Sequence, residues 1–345
     1  MIKNRNYSLD LLRVIACYLV IQQHASEFYY IGEGGTVVTG DNTFWIGIIT
    51  TLCRSSVPLF VMLSGFLLLP MQDKISTFFR KRFTRIVYPF IAWCVLYAGY
   101  YVLSRGDSFS QMALNILHIP VNFGCEIGHL WYIYMLIGLY LVTPIISPWL
   151  QQASKRELEG YLGLWIITTF LPYIHLVYPE VLGEAFWNDT PLLYYFTGFI
   201  GYFILGYYLK RFALSWIILI VGFALSAGIF CSRIDTVPTV PELELSWGFC
   251  TVNVFLMTLG LFSLIGRLSL KGKNAACKLL SDISIKSYGM YLAHILFLNF
   301  YYGLFKSISD AAYVTIPLIA VCTFITVYIF VYLLSYLPKS KYIIG

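Results

Sequence analysis

Arg13 and His24 stand eleven residues apart inside one apolar segment, LDLLRVIACYLVIQQHASEFYYI (Leu9–Ile31). A charged group and a titratable group in a membrane-length run are costly to keep there, which marks both as functional candidates. Eleven helical steps of about 100° close roughly three turns, so the two side chains share a face ~16 Å apart along the axis. A bilayer core is roughly 30 Å thick, so one group falls near an end of the crossing and the other beyond its midpoint. An imidazole is a general base near neutral pH. A guanidinium suits a phosphate or a developing oxyanion.

Four further clusters carry chemistry. Arg54 lies near the outer end of TLCRSSVPLFVMLSGFLLL (Thr51–Leu69), where Pro58 and the Ser64–Gly65 pair permit a kink or a close helix approach. It either snorkels outward or holds an anionic or hydroxyl-rich acceptor. The loop KISTFFRKRFTRIVYP (Lys74–Pro89) is the densest basic run, and Arg82 and Arg85, three apart, would share one side of a helical turn. It reads as a phosphate site or as a loop touching anionic lipid. His129 lies at the outer mouth of the fourth apolar run, GHLWYIYMLIGLYLVTPII (Gly128–Ile146), as an interfacial histidine, and His294 lies inside SIKSYGMYLAHILFLNF (Ser284–Phe300). His118 and His175 read as loop or span-end residues.

Other chemistries lack support. No two histidines stand at i, i+3 or i, i+4 with a carboxylate companion, so no metal is expected. There is no GxSxG element and no P-loop, and Ser64 in LSGF lacks an adjacent base.

The elements that must position these groups are membrane helices. The 345 residues are 59% hydrophobic and 12% charged, with mean hydropathy +0.74, against ~25% charged in soluble domains. The eight cysteines, mostly in apolar runs, show no CxxC pairing and read as small apolar side chains. The first apolar run is long enough to span and carries charge, so it does not read as a cleavable signal peptide. The fold class expected is all-α integral membrane, a single multi-span domain over residues 1–345 with no appended soluble domain.

Ten spans can be drawn: Leu9–Ile31, Phe44–Leu69, Ile86–Leu103, Leu130–Trp149, Tyr161–Val177, Leu193–Leu209, Leu214–Cys231, Gly248–Ile265, Ser287–Tyr302 and Tyr313–Leu334. A polar stretch, Tyr178–Pro191, separates the fifth from the sixth. With the N-terminus inside, eighteen of the twenty-three Lys and Arg fall on one face, from Lys3 and Arg5 through Lys271 and Lys273 to Lys339 and Lys341. Only Arg105, Arg233 and Lys306 fall on the other. The positive-inside rule then puts both termini in the cytoplasm. The outer loops carry Glu126, Glu180, Glu184, Asp189 and Glu244 among their acids. The net charge of +6 does not suggest nucleic acid, because the basic residues lie in short loops between spans.

In this order the clusters resemble the integral-membrane acyltransferase family 3, the bacterial multi-span O-acyltransferases of cell-envelope glycans. The matching segments are LDLLRVIACYLVIQQH, VPLFVMLSGFLLL, RKRFTRIVYPF, HLWYIYMLIGLYLVTPII and YGMYLAH, spanning residues 9 to about 294. The chain is most similar to the compact O-acetyltransferases of the enterobacterial common antigen type. The resemblance implies an acetyl-CoA donor at the cytoplasmic face of the bacterial inner membrane. It also implies a glycan or lipid-linked sugar as acceptor. By position, Arg13 and His24 fall on the family's essential pair, and Arg82 and Arg85 on its R-x-x-R element, the candidate contact for CoA phosphates. His129 and His294 match recurring motif histidines.

The residues and the resemblance together predict a membrane O-acetyltransferase. His24 is the general base, Arg13, Arg82 and Arg85 serve the donor, and Arg54, His129 and His294 serve the acceptor side. A longer or succinyl donor is compatible with the same residues. The competing reading is a multi-span transporter of a small anionic or sugar-type substrate, with Arg13 and His24 lining its path.

Overall fold

A computed structural model of the chain describes residues 5–121, 128–178, 181, 193, 196–268, 270, 274–309 and 311–345. Lys3, Glu126, Glu180, Glu184, Asp189, Lys271, Lys273 and most of the Tyr178–Pro191 stretch lie outside the described residues. The helices are α1 (Tyr7–Tyr30), α2 (Thr43–Cys53), α3 (Ser56–Leu68), α4 (Ile75–Arg105) and α5 (Phe109–His118). They continue as α6 (Trp131–Gln152), α7 (Lys155–Thr168), α8 (Leu171–Val177), α9 (Phe199–Arg211) and α10 (Ile218–Arg233). The last five are α11 (Val240–Glu244), α12 (Val252–Gly266), α13 (Ala275–Phe305), α14 (Ala312–Leu334) and α15 (Lys341–Ile344). Among the described residues the only β pairing is two isolated bridges, Ile31 with Val37 and Thr36 with Thr239.

By length and composition five segments can cross a membrane: Thr43–Leu68, Ile75–Arg105, Gly128–Gln152, Lys155–Val177 and Ala312–Leu334. Val240–Trp247 and Val252–Gly266 form a pair bent by 45° that would make a sixth. Each of the ten stretches read from sequence contains helix, yet several fall short of a span by these measures for physical reasons. Helices α9 and α10 have 13 and 16 residues, where a perpendicular crossing takes about 20. Helices α1 and α13 are long enough, but the polar residues that make them interesting dilute their hydropathy. Asp10, Arg13, His24 and Glu27 do so on α1, and Lys278, Asp282, Lys286 and His294 on α13.

Helix α1 is the hub, packing against α13, α14, α3, α2 and α12. Its start is fixed locally. The Asn6 side chain caps the backbone N–H groups of Ser8 and Leu9 at 3.0 and 3.4 Å, and Asp10 complements the helix dipole from the first turn. Leu12, Ala16, Ile21 and Ala25 are fully buried along it.

Two segments depart from the sequence reading. Lys74–Pro89, expected as a loop, is the N-terminal half of the 31-residue helix α4. Its aromatics explain this: Phe78 is buried, while Phe79 and Phe83, four apart, pack ring to ring at 5.6 Å. Arg80 and Lys81 are exposed on the same turns, while Arg82 and Arg85 line a cavity against the other helices. The second apolar run breaks at Arg54–Ser55 between α2 and α3. Pro58 has no N–H to give the Arg54 carbonyl, and its ring is tolerated because it lies in the first turn of α3.

Helices α3 and α9 meet backbone to backbone. A Cβ at Gly65 would lie 1.8 Å from the Phe203 carbonyl oxygen, and one at Gly206 would lie 2.0 Å from that of Met62. The two glycines therefore form a reciprocal contact of the small-residue kind used between membrane helices. Gly65→Ala or Gly206→Ala is predicted to destabilise the bundle by about 1–3 kcal/mol through overpacking. Thermal denaturation of the purified protein in detergent measures this. A midpoint equal to wild type for both variants would show that the helices separate at no cost.

Candidate active site

The three arginines assigned to the donor converge. Arg13 from α1 and Arg82 and Arg85 from α4 line one cavity of about 330 Å³, with Tyr132 and Tyr140 from α6 and Ser284, Tyr288 and Tyr291 from α13. Asp10, one turn from Arg13, is occupied by Arg5, whose Nε and Nη2 reach its two oxygens at 2.6 and 2.9 Å. Arg13 therefore touches it only indirectly, donating to Ser284 Oγ at 3.4 Å while that hydroxyl donates to Asp10 at 2.7 Å. Among the described residues neither Arg82 nor Arg85 pairs with a carboxylate. Arg82 Nε is buried without a hydrogen-bond partner, its guanidinium lying 5.8 Å from the Phe78 ring. Three cations facing one cavity without neutralising carboxylates make an anion site.

At the other end the histidines converge. His24 from α1, His294 from α13 and His129 from the turn Gly128–Leu130 ahead of α6 form a triangle. Ring centroids are 5.3 Å apart for His24–His294, 5.2 Å for His129–His294 and 6.4 Å for His24–His129. His129 is buried, not interfacial as expected, and His294 is fully buried. His24 is partly accessible, and its Nδ1 lies 2.7 Å from Oε2 of Glu27. A carboxylate accepts only, so in the neutral ring Nδ1 carries the proton and Nε2 keeps its lone pair. His294 likewise spends Nδ1 on the Tyr291 carbonyl at 2.6 Å, and the Nε2 atoms of His129 and His294 are buried without partners.

The two ends adjoin. Tyr291, on the cavity wall, donates its hydroxyl to the His129 carbonyl, and its ring lies 6.1 Å from that of His129 and 5.9 Å from that of His294. Tyr132, also on that wall, packs on Tyr291 at 5.7 Å. A ligand filling the arginine cavity would press against the aromatic wall of the histidine cluster.

Arg54 does not snorkel. It is 3% exposed; its Nη2 donates to Glu244 Oε1 at 2.8 Å and contacts the Tyr30 hydroxyl at 3.2 Å. Tyr30 donates to the same carboxylate oxygen at 2.8 Å, and Trp247 and Phe249 lie 5.3 and 5.6 Å from the guanidinium. The break after α2 aims Arg54 inward to this network. Among the described residues no group of His, Cys, Asp or Glu has the arrangement to hold a metal ion.

Sequence reasoning misses Glu27, Tyr30 and Tyr291, and gives Glu244 only as an outer-loop acid. Glu27 was readable, since it follows His24 by three positions on one helix and so faces the same way. Glu244 carries no local signal, because its partner is 190 residues away. Glu244→Ala is predicted to cost about 2–3 kcal/mol of stability by leaving a buried guanidinium without its anion. The double variant Arg54→Met/Glu244→Ala should recover part of it. Chemical denaturation in detergent measures both, and a double variant less stable than Glu244→Ala would contradict this account.

The chain matches the model of an acyltransferase domain family, acyltransferase family 3, over residues 6–336. No curated protein and no solved structure matches it. The match covers every helix that contributes to the arginine cavity and the histidine cluster, and it favours group transfer over transport. The chain belongs to acyltransferase family 3, and is a multi-pass membrane O-acyltransferase.

Proposed function

We propose that the protein moves an acetyl group from acetyl-CoA to a hydroxyl of a cell-envelope glycan or lipid-linked sugar. We place it in the bacterial cytoplasmic membrane, crossing it ten times with both termini and the Lys/Arg-rich face in the cytoplasm. The observation that carries this reading is the tyrosine wall that a cavity of unneutralised arginines shares with His129 and His294, which cluster with a third histidine, His24, held by a carboxylate. Phosphates at one end and a hydroxyl at the other are the ligands such a pair would take.

In this mechanism the acetyl donor enters beside Arg82 and Arg85, and its arm runs past Arg13 toward the tyrosine wall. The acceptor hydroxyl approaches His24. As its oxygen bonds to the thioester carbonyl carbon, His24 Nε2 takes its proton, and Glu27 stabilises the imidazolium that forms. The tetrahedral adduct collapses, the C–S bond breaks, and the imidazolium returns the proton to the leaving thiolate. Arg13 and His24, ~16 Å apart along α1, are too far apart to act on one carbonyl. Arg13 therefore serves the donor's path while His24 does the chemistry. His129 and His294 offer unpartnered Nε2 atoms beside the transfer point as acceptors for the sugar's hydroxyls. Arg54 acts at the acceptor end through Glu244, which it holds in place.

Membrane vesicles supplied with labelled acetyl-CoA test the reading. His24→Ala should abolish transfer to glycan, and Glu27→Gln should lower kcat about 100-fold at unchanged KM by loosening the ring's orientation. Wild-type transfer by His24→Ala would overturn the assigned mechanism.

A further inference from the structure

A cavity of about 180 Å³ lies where the start of α1 meets the ends of α3, α9 and α12. It shares no lining residue with the arginine cavity. Phe66 of α3 and Phe262 of α12, their rings 6.1 Å apart, wall it together with Phe212, the residue after α9. Arg267, exposed at the end of α12, also lines it and donates from Nη2 to the Leu214 carbonyl at 3.1 Å. Lys210 and Arg211 border it, each 5.9 Å from a wall ring, that of Phe66 and that of Phe212 respectively. No carboxylate side chain lines the cavity. Among the described residues none of these three cations is paired with a carboxylate.

Ser263 points to a ligand independently of the charges. It lines the cavity, is 8% exposed, and its Oγ is buried without a hydrogen-bond partner. A buried hydroxyl without an acceptor is unfavourable, and an acceptor entering the cavity would satisfy it. Arg267 keeps helical backbone angles at the end of α12. Ser263 and Arg267, four apart, therefore share a face about 6 Å apart along the axis. The Ser8 hydroxyl donates to the Leu268 carbonyl and fixes the start of α1 against this end of α12.

We propose that this cavity binds an anionic glycerophospholipid from the leaflet on the Lys/Arg-rich side. The phosphate sits at Arg267, an ester carbonyl accepts from Ser263 Oγ, and the start of one acyl chain lies against the three phenylalanines. In such a lipid the phosphate and the ester carbonyls are a few bonds apart, so one molecule reaches both groups. Basic pockets between membrane helices suit anionic headgroups. The cavity is smaller than the roughly 300–1,000 Å³ of a site that encloses a soluble ligand. It fits a molecule most of which stays in the bilayer. The site is independent of the acyl-CoA reading.

Thermal denaturation of the full-length protein in an uncharged detergent, titrated with dioctanoyl phosphatidylglycerol, gives a Kd from the rise in midpoint. The phosphatidylcholine of the same chain length should give no rise. Arg267→Gln should raise the Kd about tenfold and Ser263→Ala about fivefold, as charged and neutral hydrogen bonds are lost. A Cβ at Gly266, on the cavity wall, would meet nothing within 4 Å. Gly266→Phe should therefore fill the cavity without a clash and abolish the rise, leaving the lipid-free midpoint near wild type. Lys306→Gln, beyond the far end of α13, controls for net charge and should leave the Kd unchanged. Equal rises with the two lipids, an unchanged Kd in Arg267→Gln, or an undiminished rise in Gly266→Phe would each overturn the proposal. An equal rise with inorganic phosphate assigns the cavity to a free anion and also overturns it.

Discussion

A guanidinium inside a helix bundle has two ways to exist: matched by an anion of the protein, or facing a space where another anion can come. Both occur here. Arg54 is matched, with Glu244, the Tyr30 hydroxyl and two aromatic rings enclosing it. Arg13, Arg82 and Arg85 are unmatched and share a cavity. Asp10, one turn from Arg13, is already committed to Arg5. Desolvating a charge without a partner costs several kcal/mol per ion, so the unmatched group stays hydrated by the cavity until an anion replaces the water. Three like charges gathered at one cavity repel one another, and an anion entering it relieves that repulsion.

The same constraint explains why one helix carries both stations. Helix α1 runs unbroken from Tyr7 to Tyr30 and is packed on five neighbours. The separation of Arg13 from His24 is therefore set by helix geometry and not by loops that could drift. A rigid helix keeps that spacing fixed whatever occupies the two ends. Helices α13 and α6 repeat the pattern. Each sends a residue to the arginine cavity (Ser284, Tyr140) and has its histidine, or the turn bearing it, at the other end.

What the sequence disclosed follows how local each signal is. The spacing of Arg13 and His24, and of Arg82 and Arg85, survives intact because a helix translates spacing directly into direction. Lys74–Pro89 reads as a loop when its charge density is weighed above the aromatic pair Phe79 and Phe83, although their four-residue spacing is a helical signal. The histidine triangle was not legible: His24, His129 and His294 are each unremarkable locally, and more than a hundred residues separate each from the next. For Arg54 the sequence leaves snorkelling and an anionic partner both open, for a related reason. Snorkelling is the cheap solution when no anion is near, and nothing around Arg54 announces Glu244.

The tyrosine wall between the two ends sets a limit on how transfer can proceed. Tyr132 and Tyr291 pack edge to face at 72°, and the Tyr291 hydroxyl is tied to the His129 carbonyl. On its far side the imidazoles meet other groups: the Glu27 carboxylate lies 2.7 Å from His24 Nδ1, and Arg54, at that end, is paired with Glu244. A layer of neutral aromatic side chains thus stands between the cavity lined by Arg13, Arg82 and Arg85 and the cluster of His24, His129 and His294, and any ligand that reaches both must pass it.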